Sequence, residues 1–146
     1  MSDRDLSLAR IKPGYVLLPE QITQPELTEE DQTDFAEGVR LFNEGAFWES
    51  HEAWEQVWKR HTEPSRVFFQ ALIQTAAAYH QLKRGIYHGT VKHFRNAGTK
   101  LEPFPSPFLG IDVDRLRLDI RFGETEALRL GVDGLADFDP DRIAKL

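Results

Sequence analysis

Cysteine is absent from the 146 residues, which excludes disulfides, thiolate metal sites and cysteine nucleophiles together. No apolar run approaches the roughly 20 residues needed to cross a bilayer, so no membrane partner is expected. Met1 to Leu8 carry Asp3, Arg4 and Asp5 and lack the apolar stretch of a secretory leader. These absences together point to a cytoplasmic protein. Serines and threonines form no nucleophile motif, and no phosphate-loop pattern occurs. One absence is local. Between Glu63 and Glu102 there is no acidic residue, yet Arg66, Lys83, Arg84, Lys92, Arg95 and Lys100 all fall there. Two readings follow: acidic and basic segments that pack with complementary charge, or a local anion site. The net charge of -6 argues against nucleic acid as a partner.

What is present describes a globular chain. Hydrophobic residues make up 40% and charged residues 29%, a balance that can build a core without staples. The length fits one domain. Residues 1–27 contain Pro13, Gly14, Pro19 and Pro25 and no sustained period, so they read as an irregular arm in which Tyr15-Val16-Leu17-Leu18 can dock. Residues 28–146 read as a single helical domain with no internal repeat.

Thr28 followed by Glu29, Glu30 and Asp31 is a helix start, and Phe35, Val39 and Phe42 continue it to a stop at Gly45. This predicts a helix over 29–44. A very short connection then predicts an antiparallel helix over 46–60, with Phe47, Trp54 and Trp58 on one face; all three tryptophans lie on it. Pro64 opens a long third helix over 66–83, and Gly85 ends it. Gly89 to Leu101 predicts a fourth. Pro103, Pro105 and Pro107 then enforce an extended strap carrying Phe104 and Phe108, whose rings either plug the bundle or reach a second copy of the chain. For the tail, Val113, Leu116 and Ile120 fit a helix over 112–122, while Leu116, Leu118, Ile120 and Phe122 alternate as in a hairpin. Asp139-Pro140 can cap a last turn. The expected fold is all-α: a compact bundle of four to five helices with an N-terminal arm and a proline-rich strap.

The second helix carries the best candidate site. With Phe47 at zero on a helical wheel, His51 falls near about 40° and Glu55 near about 80°, beside the aromatic stripe. Glu52 lies about 60° further round and is a further ligand candidate where a neighbouring helix forms a cleft, while Glu49 faces away. A His and a carboxylate one turn apart can grip a divalent ion, which makes His51 and Glu55 the candidate metal ligands. His51-Glu52-Ala53-Trp54-Glu55 repeats the zinc-peptidase HExxH pattern with its second histidine replaced, so the two-histidine pair is missing. Further ligands would come from the third helix: His80, Gln70 or Gln74. Against this stands a structural reading, in which His51 and Glu55 bond to each other and to polar groups of the third helix and fix the bundle's register. A second candidate is an anion site built from Lys83, Arg84, Lys92 and His93 around Gly85 and Gly89.

Leu41-Phe42-Asn43-Glu44-Gly45, then Glu49, His51-Glu52, Glu55 and Trp58, form one block; Phe69-Gln70-Ala71-Leu72-Ile73-Gln74 with Ala76-Ala77, Arg84-Gly85 and Gly89 form another. Over roughly 35–101 these blocks resemble the bacterial and archaeal domain-of-unknown-function family 309. The resemblance implies a compact all-α fold and no particular reaction or cofactor, and Ala71 stands where the family has glycine. The functional expectation is a small-ligand or divalent-metal site between helices two and three, with hydrolysis as one chemistry open to it. The alternative is a non-catalytic scaffold that self-associates through Phe104 and Phe108.

Overall fold

A computed structural model describes residues 17–146; the expectation for the arm before Leu17, Tyr15 and Val16 included, lies outside the described residues. Five α-helices follow one another: α1 (Glu29–Asn43), α2 (Phe47–Arg60), α3 (Val67–Lys83), α4 (Tyr87–Leu101) and α5 (Val113–Leu130). No strand occurs among the described residues, only a single bridge between Phe108 and Ile111. The all-α expectation holds, and among the described residues no helix is long and apolar enough to cross a membrane.

Local chemistry sets the helix ends. Thr28 Oγ1 accepts from Asp31 N while Asp31 Oδ2 accepts from Thr28 N, a reciprocal cap on α1. The α1–α2 and α3–α4 turns are the same motif. Gly45 at φ 84° and Gly85 at φ 72° reverse the chain, and the next residue's N–H reaches back to Leu41 O (2.9 Å) or Gln81 O (3.0 Å). Each turn sends the following helix back antiparallel. Pro64 opens a short 3-10 turn, Pro64–Arg66, that leads into α3. Helix α4 begins at Tyr87, two residues before the expected Gly89, directly after its turn.

Helix α5 corrects the tail reading. It runs to Leu130, eight residues past the predicted end, and is not a hairpin. Leu116, Ile120, Gly123 and Ala127 form its buried line at helical spacing, whereas Leu118 is 59% exposed and so lies off any buried face. Gly123 lies inside this line. Here it is an approach point, because a Cβ there would sit 2.6 Å from the Phe94 ring. Asp139 caps the closing turn by accepting from Asp141 N at 2.9 Å.

The core is one aromatic-rich cluster centred on α3, with Trp54, Phe68, Phe69, Tyr79 and Phe94 fully buried. Trp54 Nε1 donates to Phe35 O and Ser50 Oγ to Gly38 O, locking α2 against α1. The strap folds inward: Phe104 and Phe108 are almost fully buried and pack on Phe68 at 5.3 and 4.7 Å. Their burial removes roughly the area of two core phenylalanines from water, each worth about 1.5–3 kcal/mol.

Candidate functional site

Helix α3 is buried almost all round. Its one partly open stripe is Gln70, Gln74, Ala77 and Gln81, which share an arc of about 60° on a helical wheel. On one flank His80 meets Trp48 of α2 at 5.3 Å; on the other, Gln81 lies against Gly89 of α4, whose added Cβ would be 3.2 Å from Gln81 Cγ. The stripe therefore floors a groove between α2 and α4. Counting antiparallel from these two contacts sets His93 beside Ala77, and Trp58 and Lys100 near the level of Gln70.

The α2 wall carries Trp48, His51, Glu55 and Trp58. Trp48 stacks on His51 with ring centres 4.9 Å apart and planes 14° apart, so its half-exposed indole bridges His51 and His80. His51 Nδ1 is 3.8 Å from Glu55 Oε1, an ion-pair separation beyond hydrogen-bond length. Glu52 and Glu49 point to solvent. On the α4 wall, His93 is close enough to His51 that charge on one disfavours charge on the other.

Burial sets the protonation states. Loss of water lowers the pKa of His51, against an upward pull from Glu55 and Glu52, and His80 lowers it further. Burial also lowers His93, helped by Lys92, His51 and Lys100. Both imidazoles are therefore held neutral, each with one nitrogen to donate and one to accept.

Four atoms of this groove are buried without a hydrogen-bond partner: His51 Nδ1, Gln70 Oε1, Gln74 Oε1 and His93 Nδ1. Trp58 Nε1 and Gln81 Oε1, at its rims, share that condition. A paired cluster elsewhere in the molecule gives the contrast. Between α1 and the end of α2, buried Asp31 accepts from Arg60 and His61 at 2.9 Å each, and His61 Nδ1 meets Glu63 at 3.1 Å. That cluster is closed; the groove is not.

Among the described residues, no group of three or more His, Asp or Glu side chains is arranged to hold a metal ion. The basic set predicted around Gly85 divides. Lys83 Nζ turns to Gly45 O at 3.4 Å and over the Phe47 ring, Arg84 and Lys92 are exposed, and His93 turns into the groove. Sequence reasoning passed over Trp48 and Lys100 as site residues. Their positions could have flagged them, since Trp48 is three residues before His51 and Lys100 seven after His93, both same-face spacings.

No curated protein and no solved structure matches the chain. Residues 35–93 match the family model described as Domain of unknown function (DUF309), so the stretch from Phe35 on α1 to His93 in the groove bears out the resemblance carried by the two sequence blocks.

Proposed function

We propose that the groove between α2, α3 and α4 binds a small polar ligand through neutral imidazoles and carboxamides. The observation that carries this is the set of four buried, unpartnered atoms from three helices, His51 Nδ1, Gln70 Oε1, Gln74 Oε1 and His93 Nδ1. A buried polar atom left unpaired costs about 1–3 kcal/mol. A ligand that pairs such atoms binds the folded state and stabilises it. Trp48 offers a flat apolar surface at one end, a common complement to a few convergent polar groups. If the ligand reacts, His51 is the candidate base, with Glu55 at 3.8 Å to steady its imidazolium.

The purely structural reading is weaker, because a network that fixed helix register would pair its own atoms, as the Asp31 cluster does. Self-association through the strap would require Phe104 and Phe108 to leave the core. A divalent ion would have His51 and Glu55 as its nearest pair, with no third group converging on them.

Titration of 15N-labelled protein with small amides, polyols, carboxylates and phosphates tests the proposal. Binding in the groove moves the side-chain amide signals of Gln70 and Gln74 together with the ring signals of His51 and His93. A panel that moves none of them overturns it. In parallel, chelator-treated protein is titrated with zinc, manganese, iron and nickel. A rise in melting temperature lost in His51→Ala would replace the organic ligand with a metal.

A further inference from the structure

Two cations are buried among the described residues, Arg66 and Lys100. Arg66 donates to His61 O at 2.5 Å and lies over the Trp58 ring at 4.9 Å. Lys100 is only 9% exposed, and among the described residues it has neither a hydrogen bond nor a carboxylate within ion-pair distance. Burial alone pulls its ammonium below the usual lysine range, with no acid opposing that pull.

The surroundings of Lys100 explain why it stays unpaired. Helices α3 and α4 lie inside the acid-free span from Pro64 to Leu101, so neither the floor nor its own wall can supply a carboxylate. The facing wall offers Glu55, whose carboxylate is turned to the His51 side, 3.8 Å from Nδ1. On α4, Lys100 is two turns from His93 on the same face, close enough to lower its pKa. Across the groove at that level stands the unpartnered oxygen of Gln70.

Resting on the reading of the groove as a ligand site, we propose that its ligand is an organic anion. Its carboxylate or phosphate group sits between Lys100 Nζ and the His93 ring, and the rest of the molecule lies along Gln70, Gln74 and His51 towards Trp48. The charge balance favours this choice. A neutral ligand would leave the unpaired Lys100 charge uncompensated, and a metal cation would meet it as a like charge. A charge-assisted hydrogen bond from a desolvated ammonium is also among the stronger single contacts available.

Calorimetric titration at low salt with inorganic phosphate, with succinate and with neutral succinamide tests the inference. Phosphate or succinate binds and succinamide does not, and the anion that binds separates phosphate from carboxylate chemistry. Lys100→Met and Lys100→Gln each weaken that binding by about tenfold or more. Without ligand, Lys100→Met melts no lower than the parent, because it removes an unpaired, partly desolvated charge and keeps the apolar stem. Succinamide binding as well as succinate would sink the anion inference and leave the ligand site standing. Anion binding unchanged in both variants would place the anion elsewhere and also sink it. No binding by any of the three probes would count against the anion inference, and against the groove reading too if the wider panel also failed.

Discussion

If the Gln70 and Gln74 oxygens are unpaired in the ligand-free protein, replacing them with leucine should stabilise it. Each buried carbonyl oxygen forfeits about 1–3 kcal/mol by leaving water without a new partner, and leucine of similar volume carries no such debt. Both residues are half-buried, and neighbouring side chains relax, so about 1 kcal/mol per substitution is the expected gain. For a domain of this length 1 kcal/mol moves the melting temperature by about 4 °C, so the double variant should melt about 8 °C higher. Urea unfolding and scanning calorimetry without ligand provide the readings. Ser50→Ala is the control. Its hydroxyl donates to Gly38 O at 2.8 Å in the sealed α1–α2 contact, and its loss should cost about 1 kcal/mol. A drop of about 1 kcal/mol or more in either glutamine variant would show those oxygens already bonded and refute the reasoning.

Two further predictions concern acid. The folded imidazoles of His51 and His93 resist protonation below their ordinary value of 6.5, so the unfolded chain takes up protons first and stability declines as pH falls below that value; His51→Gln/His93→Gln should flatten the slope in urea midpoints taken across that range. Asp31 acts in the same direction, at lower pH. Burial pushes its pKa up, but bonds from Arg60, His61 and Thr28 outweigh that and hold it below 3.8, so its contribution is complete above that value and lost as pH falls through its depressed folded value. Asp31→Asn should cost about 2–4 kcal/mol at neutral pH by leaving Arg60 and His61 without their carboxylate, and an unchanged urea midpoint would contradict the clamp.

The bundle was legible where one residue decides the local geometry. Thr28, Gly45, Pro64 and Gly85 each fix a helix end through a cap or a reversed backbone, and the helix boundaries followed within a residue or two. The tail was misread because Leu116 to Phe122 fit a short helix and an alternating strand alike, and the packing that settles it, Gly123 against the Phe94 ring of α4, is not local. The wheel brought His51 and Glu55 together, a property of one helix, but Glu52, also a candidate on that wheel, turns to solvent. The wheel could not reveal that His93 approaches from α4. That depends on α3 setting two non-neighbouring helices on either side of its glutamine stripe.

The order of helix packing has a mechanical consequence. Extensive helix contacts join sequence neighbours only: α1 with α2, α2 with α3, α3 with α4, and α4 with α5. The groove walls, α2 and α4, are thus coupled chiefly through α3, and the cleft width is the sum of two interfaces in series. Small rocking at each adds up across the opening, while the aromatic core beneath α3 stays tightly packed. A change in cleft width would therefore be shared between two helix interfaces rather than taken up within one.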